Sequence, residues 1–278
     1  MLKRILMCRP DYYGVEYEIN PWMKKTNPPD LALAFNQWRA LRDLYEKEGY
    51  IVRNVNQEEG FPDMVFVANA GLVYEKQFVL SNFRYRERRG EAQVFKKWFE
   101  EHGYIVKTLP EDRFFEGHGD MLFLGDKLIV GYGPFRSNEL GVRSAAWAIQ
   151  KEPIFLRLIN EKYYHLDTCF CPVGSDLIIF YPKAFDAPSL RKIESLEAEL
   201  IDVSSYDACR FVCNAFPIKR TEDGQAAWLK NIQWKLVTTS MSKKLRKRIE
   251  KKGIEILEVN LSEFIKSGGA ARCLTLVI

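Results

Sequence analysis

Amphipathic and apolar segments alternate along this chain in an order that recurs. Charge-rich amphipathic stretches predict helices from Leu31 to Glu48 and from Gly90 to His102. The same short apolar run follows each helix, Gly49-Tyr50-Ile51-Val52 and Gly103-Tyr104-Ile105-Val106, and it predicts a strand. A weaker copy, Gly253-Ile254-Glu255-Ile256, follows a third predicted helix.

A second strand-like pattern recurs between these segments. Asp63-Met64-Val65-Phe66-Val67 matches Asp120-Met121-Leu122-Phe123-Leu124, and Asp167-Thr168-Cys169-Phe170-Cys171 resembles both. Weaker copies are Arg210-Phe211-Val212-Cys213 and Arg272-Cys273-Leu274-Thr275-Leu276. The first three copies each precede another predicted strand, and these strands are Phe78-Val79-Leu80, Lys127-Leu128-Ile129-Val130 and Leu177-Ile178-Ile179-Phe180.

The chain therefore consists of about five copies of one ββαβ-type unit, which predicts an α/β fold. Units of this size cannot bury their apolar faces alone, so they must pack against neighbours. Five copies can close into a ring with few exposed sheet edges. We predict a single domain over residues 1–278, in which equivalent strand ends meet at a shared centre. The alternative is an open α/β sheet whose similar strands reflect composition alone.

Composition and charge are those of a globular protein. Apolar residues make up 47% of the chain and charged residues 28%, with a net charge of +4. Much of the positive excess lies between Ser242 and Lys252, where Leu245 and Ile249 are four residues apart, so a solvated helix face is favoured over nucleic-acid binding. No segment approaches the roughly 18 uncharged apolar residues of a membrane span. The first ten residues lack the apolar core of a signal peptide.

The cysteines and the absence of cofactor motifs narrow the chemistry further. The six cysteines include no CxxC pair, and Cys169 and Cys171 have no matching second pair, which argues against a disulfide framework and a zinc site. The sequence contains no glycine-rich phosphate loop or dinucleotide fingerprint. We therefore expect a cytoplasmic protein without metal or cofactor, which binds neither nucleic acid nor membranes. Association into a homo-oligomer stays open.

Cys273 is the strongest candidate for chemistry. It follows Gly268-Gly269 and Arg272; glycines let backbone amides approach a ligand, and a cationic neighbour favours the nucleophilic thiolate. Far upstream, His165 and Asp167 are predicted to share one face of a strand. A cysteine with a distant histidine and carboxylates is typical of nucleophilic catalysis. The alternative is a structural cysteine at a buried strand end.

Four segments, taken in order, resemble the guanidino-group-modifying superfamily of arginine deiminases, dimethylarginine dimethylaminohydrolases, amidinotransferases and arginine dihydrolases. They are Pro62–Asn69, Glu116–Asp120, His165–Thr168 and Gly268–Cys273. The resemblance extends over essentially the whole chain. It implies the five-bladed α/β propeller called the pentein fold. It also implies a cysteine-dependent hydrolase that acts on a small-molecule guanidino amino acid without a cofactor.

The resemblance also implies a role for each matching residue. Cys273 would attack the guanidinium carbon, and His165 would act as general acid and base. Glu116 and Asp167 would bind the guanidinium, because carboxylates match its fork of donors, and Glu116 would also orient His165. Asp63, in the first matching segment, is expected to bind the substrate as well.

Asn69 departs from part of this superfamily. The deiminases and dimethylarginine hydrolases carry an aspartate at this position, and asparagine removes one negative charge while adding two donors. The segment from Pro62 to Gly71 is more similar to the arginine dihydrolase branch, which converts arginine to ornithine, carbon dioxide and two ammonia molecules. We therefore predict an L-arginine dihydrolase. The alternative for Asn69 is a turn residue before Ala70-Gly71.

An amino-acid substrate also needs groups that hold its carboxylate. Arg88 and Arg136 lie in segments that resemble the arginine-bearing carboxylate-binding segments of the superfamily, and an arginine fork matches a carboxylate. Which arginine of residues 84–89 faces the site stays open. Asn20 matches a position on an N-terminal loop that covers the substrate; its alternative is a pre-proline turn residue.

Other functions are compatible with the same residues. A deiminase or dimethylaminohydrolase would act once and give citrulline, and an amidinotransferase would need an acceptor amine. A non-catalytic propeller that binds ribosomes would leave the Cys, His, Glu and Asp positions without a role. The sequence does not decide among arginine, methylated arginines and agmatine-like amines.

Overall fold

The computed structural model describes residues 3–219 and 234–278, whose strands form five three-stranded sheets. In each sheet the middle strand pairs antiparallel with one neighbour and parallel with the other. The predicted five-bladed α/β propeller of ββαβ units is confirmed.

The elements follow one another in the order that the repeats predict. The chain begins with strand β1 (Arg4–Cys8), helix α1 (Leu31–Lys47) and strand β2 (Ile51–Val55). Three complete units follow. The first contains β3 (Gly71–Tyr74), β4 (Gln77–Leu80), α2 (Arg86–Arg89), α3 (Glu91–Glu101) and β5 (Ile105–Lys107), and the second contains β6 (Met121–Leu124), β7 (Lys127–Tyr132), α4 (Glu139–Ala148) and β8 (Pro153–Arg157). The third contains β9 (Phe170–Val173), β10 (Leu177–Phe180), α5 (Ala187–Glu194) and β11 (Glu199–Asp202). The remaining elements are α6 (Ser205–Ala208), β12 (Phe216–Lys219), β13 (Trp234–Thr238), α7 (Lys243–Glu250), β14 (Ile254–Glu258), α8 (Ser262–Ile265) and β15 (Leu276–Val277).

The fifth blade joins the two ends of the chain. β15 pairs antiparallel with β1, with Ile5 opposite Val277 and Leu6 opposite Leu276, while β1 pairs parallel with β2. Ile5, Leu6 and Leu276 are fully buried. This short pairing closes the ring, so that the turn containing Cys273, just before β15, is held beside residues from the other blades.

Helix α1 shows how the amphipathic pattern becomes packing. It begins after Asp30, whose carboxylate accepts a hydrogen bond from the Leu33 backbone amide at 2.9 Å, as helix N-caps do. One face of the helix is buried against the blade, at a spacing of three and four residues. The apolar residues of this face are Ala34, Trp38, Leu41 and Tyr45.

The basic run near residue 250 is a solvated helix face, as predicted. α7 buries Leu245 and Ile249, and Arg248 forms an ion pair with Asp202 at 2.7 Å. Within the described residues, none of the helices combines the length and the apolar character that crossing a membrane requires.

The predicted start of the inner strands is wrong by several residues. Residues 63–67 and 167–169 were expected to be strands, but they form 3-10 turns at Pro62–Val65, Val67–Ala70 and Leu166–Thr168. Local hydrogen bonds stabilise these turns, for example from Phe66 N to Asp63 O at 3.0 Å. The inner strands begin only after the turns, at Gly71 and Phe170.

The weaker copies of this pattern also form turns rather than strands, and His165 lies outside a strand as well. Residues 210–213 and 272–274 are also turns, and the inner strands after them start at Phe216 and Leu276. His165 lies just before a 3-10 turn rather than on a strand. These turns direct polar side chains to the ring centre before each inner strand begins.

Gly117 tests how tightly the turns pack. Its φ is +62°, and an added Cβ would lie 2.5 Å from the Ala68 carbonyl oxygen, whereas Gly103, with φ +77°, has no atom within 4 Å of that position. We expect Gly103→Ala to cost about 1–2 kcal/mol through its left-handed backbone. Gly117→Ala should cost at least about 2 kcal/mol more, because backbone atoms must move. Urea unfolding of both variants measures the difference, and equal losses would contradict this account of the turn.

Candidate active site

The thiol of Cys273 lies in the turn before β15 and has two polar partners. The Asn214 side-chain amide donates a hydrogen bond to Sγ at 3.0 Å, and the thiol donates to Asp167 Oδ2 at 3.2 Å. Asn214 Oδ1 in turn accepts from the backbone amides of Ala270 at 2.8 Å and Cys273 at 3.2 Å. Asn214 therefore fixes both the turn and the sulfur.

The resting state of Cys273 is the thiol. Burial raises its pKa well above the ordinary value, and the neighbouring Asp167 raises it further. The expectation that Arg272 favours the thiolate is wrong, because burial and Asp167 dominate the pKa of Cys273 and the Arg272 side chain lines a separate cavity. A cation placed between Cys273 and Asp167 would favour the thiolate, so the site is suited to a cationic substrate that activates its own nucleophile.

Asp167 has one oxygen available for such a cation. Burial raises its pKa to about 7, although its hydrogen bond from Cys273, the charge of Arg272 and the amide of Asn214 act in the opposite direction. Oδ2 accepts the thiol, whereas Oδ1 is buried without a partner among the described residues. A buried, unpaired carboxylate oxygen is costly unless a ligand pairs with it.

His165 and Glu116 form a buried pair. His165 Nε2 lies 2.9 Å from Glu116 Oε2, and Arg136 Nη1 lies 3.1 Å from the same oxygen. Burial alone would raise the pKa of Glu116, but Arg136 and His165 outweigh burial and hold it below its usual range. Glu116 is therefore an anion that accepts a hydrogen bond from Nε2, and in this tautomer Nδ1 is the basic nitrogen of the His165 ring.

Asn69 lies beside that basic nitrogen. Its Nδ2 is 3.5 Å from His165 Nδ1, and its Oδ1 accepts a hydrogen bond from Arg88 Nη1 at 2.9 Å. Gly119 leaves the necessary space, since a Cβ there would lie 2.5 Å from Asn69 Nδ2. The one residue that departs from the deiminase pattern is thus adjacent to the candidate acid and base.

Asp63 adds a second buried carboxylate. Burial raises its pKa despite the nearby Arg88. Tyr17 donates to Oδ2 at 3.0 Å, and Oδ1 is buried without a partner in the described part of the chain. Like Asp167, Asp63 therefore presents an acceptor that a cationic ligand can satisfy.

Arg88 is the buried arginine of the 84–89 cluster. Its Nε and Nη2 each donate to Glu91 at 2.8 Å, and Nη2 also donates to the Asp63 carbonyl at 3.2 Å. With Nη1 bound to Asn69, the whole fork contacts protein groups. Arg88 thus holds Asn69 and the Asp63 backbone, and its contact with a substrate carboxylate stays a prediction.

Arg136 retains a free donor. Its guanidinium lies over the rings of Tyr85 and Tyr164, at 4.9 and 4.6 Å from their centroids. Nη1 pairs with Glu116, whereas Nε is buried without a partner among residues 3–219 and 234–278. This nitrogen is suited to an anionic group of a ligand.

The N-terminal loop covers these groups. Asn20 Nδ2 donates to the Ser267 carbonyl at 3.1 Å, and Asn20 Oδ1 accepts from the Trp22 amide at 2.9 Å. Tyr17 and Ile19 of the same loop contact Asp63 and Arg136. The structure thus places Asn20 between the loop and the glycine turn; its contact with a substrate stays a prediction.

The structure brings Asp63, Asn69, Glu116, His165, Asp167 and Cys273 to the turns before inner strands, and Asn20 to the loop above them. Arg88 lies in α2 and Arg136 between β7 and α4, and both reach the same groups through their side chains. Sequence reasoning missed Asn214, although the weak copy Arg210–Cys213 ends one residue before it. Like Cys273, Asn214 lies in the turn just before an inner strand, two residues before β12. The polar residue that follows this copy of the repeat is the signal that could have indicated it.

A family model described as N,N dimethylarginine dimethylhydrolase, eukaryotic, matches residues 9–278. The chain belongs to this family. Among its relatives, the dimethylarginine dimethylaminohydrolase of Mycobacterium tuberculosis is 33% identical over 99% of this chain and 86% of that protein. The bifunctional arginine dihydrolase/ornithine cyclodeaminase ArgZ of Synechocystis is 44% identical over 98% of this chain. This chain spans 37% of the length of ArgZ.

Solved structures of the family agree with the described fold. A substrate-bound cysteine-to-serine variant of the N-terminal domain of ArgZ, an arginine dihydrolase, has a TM-score of 0.89 and 42% identity, and covers 99% of this chain and 97% of that chain. A dimethylarginine dimethylaminohydrolase adduct with S-methyl-L-thiocitrulline has a TM-score of 0.78 at 18% identity, which shows the fold alone.

Asn214 is expected to control the reactivity of Cys273. In Asn214→Ala the thiolate loses its side-chain donor, and alkylation by 2-chloroacetamidine should slow about tenfold or more, the size of a hydrogen bond to a charged group. The exposed substitution Asn54→Ala serves as the control. Alkylation rates followed by mass spectrometry measure the effect. An unchanged rate in a folded Asn214→Ala protein would remove this role.

Proposed function

We propose that residues 1–278 form one catalytic domain that acts as an L-arginine dihydrolase in the cytoplasm, without a cofactor. The observation that carries the proposal is that two buried carboxylates near the thiol of Cys273, those of Asp63 and Asp167, each have one oxygen without a hydrogen-bond partner among the described residues. The likeness to ArgZ, whose name includes arginine dihydrolase, supports it.

The charges of the site match arginine at both ends. The guanidinium is a planar cation whose donors pair with carboxylates, and Asp63 Oδ1 and Asp167 Oδ1 are unpaired acceptors. The free Nε of Arg136 is a donor for the α-carboxylate. A substrate of this class is a small guanidino amino acid rather than a simple amine such as agmatine.

The first half of the proposed reaction follows from the proton positions. The bound guanidinium favours loss of the Cys273 thiol proton, which passes to Nδ1 of His165, and the thiolate attacks the guanidinium carbon and forms a C–S bond. His165, held through Nε2 by Glu116, gives this proton to the leaving amine, the C–N bond breaks, and the first ammonia departs. His165 then accepts a proton from the water that attacks the amidino-thioether, and the C–S bond breaks to leave a ureido intermediate.

The second half requires that the ureido intermediate stay bound. Asn69 is neutral, so it places no second negative charge beside His165 and offers both an acceptor and donors to a neutral ureido group. A second attack and a second water then release ammonia and a carbamate, which decomposes to carbon dioxide and ornithine. Overall, arginine and two water molecules give ornithine, carbon dioxide and two ammonia molecules.

A second candidate function is a single hydrolysis that ends at citrulline. The match to the dimethylarginine dimethylhydrolase family and the similarity to the Mycobacterium tuberculosis relative favour it. It uses the same nucleophile, acid and base, and differs in what leaves the carbon and in whether the product departs after one step.

Product analysis decides between these functions. Purified protein incubated with L-arginine should release ornithine with two ammonia per arginine, and Cys273→Ser should release neither. Citrulline with one ammonia would contradict the dihydrolase proposal. Turnover of asymmetric dimethylarginine but not of arginine would select the second candidate instead.

The pH dependence should report on Asp167. Its pKa is raised to about 7, and only its ionised form binds a guanidinium, so the rate is lost as pH falls. We expect kcat/KM to decrease about tenfold per pH unit below pH ~7, because kcat/KM reports the ionisations of the free enzyme. Steady-state rates across this range measure the limb. Residual activity of Asp167→Asn should lack it, and a limb that persists in this variant would assign it to another group.

A further inference from the structure

A cavity lies on the axis of the propeller, on the far side of the turns that carry the candidate active site. Its volume is about 390 Å³, and its walls include residues of the inner strands of all five blades. Examples from these strands are Val73, Leu122, Phe170, Pro217 and Val277. The residues of the candidate active site precede the same strands, so the two spaces occupy successive levels of one axis.

One wall separates the two spaces. In the segment from Glu116 to Asp120, the Glu116 carboxylate contacts His165 while the His118 ring lines the cavity. In the glycine turn, Cys273 contacts Asp167 while Arg272 lines the cavity. Neighbouring residues of the same two turns thus face opposite sides.

Arg272 brings an unpaired positive charge to this cavity. Among residues 3–219 and 234–278, no carboxylate lies within 4.0 Å of its guanidinium, and its buried Nε has no partner. Its polar contact is a long one, 3.4 Å from Nη2 to His118 Nδ1, and its guanidinium lies 5.5 Å from the Phe216 ring centroid. A partly buried guanidinium without a counter-ion favours an anionic ligand.

The remaining groups of the cavity limit the ligand further. His118 is 94% buried and neutral at pH 7, because burial and Arg272 lower its pKa to about 3. Glu75 is exposed and contributes a carboxylate to the lining. One cation and one anion within mostly apolar walls disfavour a dianion and favour a single carboxylate on an apolar body.

We propose that this axial cavity binds a small monocarboxylate with an apolar body, whose carboxylate pairs with Arg272. Asn214 links the cavity to the nucleophile. The Arg272 backbone amide donates to the Asn214 carbonyl at 3.1 Å, and the Asn214 side chain donates to Cys273 Sγ. The site is therefore a regulatory one at the back of the candidate active site.

The charge of Arg272 gives the direction of the regulation. This charge favours the ionised form of Asp167, so a bound carboxylate that neutralises Arg272 favours the protonated form. Protonated Asp167 does not bind a guanidinium, and the ligand is therefore an inhibitor. The predicted inhibition rests on the proposed function, whereas the predicted binding of a carboxylate in the cavity does not.

Calorimetry on the full chain tests the binding. The Cys273→Ala variant is titrated with 3-phenylpropionate and with the uncharged 3-phenylpropanamide, each with and without saturating L-arginine. The acid should bind about tenfold or more tightly than the amide, as a charge-assisted hydrogen bond provides. Saturating arginine should weaken the acid by no more than about threefold, because the coupling between two separate sites is reciprocal. Equal affinities of acid and amide would overturn the proposal, and so would full competition, in which the affinity of the acid keeps falling as the arginine concentration rises.

Two further variants locate the ligand. Arg272→Met should remove the preference for the acid over the amide, and Val73→Trp should fill the cavity and abolish binding of both. Ile105→Trp, at an exposed position of the same blade, should bind as the parent does. Unchanged binding in Val73→Trp would overturn the site even if Arg272→Met fails to fold.

Kinetics test the coupling separately. Saturating 3-phenylpropionate should move the acidic limb of kcat/KM upward by about half a pH unit, a modest shift because Arg272 is not in direct contact with Asp167. A limb that does not move while the acid binds would overturn the regulation and leave the site. Absence of arginine turnover would instead contradict the proposed function and leave the calorimetric result intact.

Discussion

The buried ion cluster around Glu116 is the interaction on which the site depends. Its carboxylate pairs with Arg136 and His165, and removing one partner of a buried pair typically costs about 3–5 kcal/mol. Because these partners keep Glu116 ionised, His165 has a defined tautomer, with its basic nitrogen beside Asn69. The backbone that carries Glu116 is fixed in turn by Gly117, whose left-handed conformation only glycine adopts without a clash here.

The same burial leaves Asp63 and Asp167 incompletely satisfied, and this is what makes the site receptive. In the folded protein the pKa of Asp167 lies above its unfolded value. Its contribution to stability is therefore present below about pH 4 and lost as pH rises through about 7. At neutral pH the free protein thus retains a carboxylate that is poorly solvated. Under the proposed function, a bound guanidinium would pair with this carboxylate and replace the missing solvation.

The sequence is most informative where local pattern and burial agree. Helix α1 and the basic helix α7 have one buried face each; α1 ends one residue before its predicted end, and α7 lies within the run that predicted a solvated helix face. The 3-10 turns escaped prediction because residues such as Val65, Val67 and Ala68 are all buried, which erases the alternation by which strands and turns are distinguished. Asn214 was missed for another reason: its partners, Asp167 and Cys273, are distant in sequence and meet it only when the ring closes.

The side chain of Arg272 lies on the opposite side of the wall from that of Cys273, its neighbour in sequence. Adjacency to Cys273 in sequence suggested that the guanidinium acts on the thiol, but a turn before an inner strand sends successive side chains to opposite sides of one wall. The charge still acts across the wall, because Coulomb interactions in a protein interior are screened less than in water. Arg272 therefore lowers the pKa of Asp167 from the cavity side of the wall. A charged ligand in the axial cavity would change the ionisation of Asp167 through the same long-range interaction.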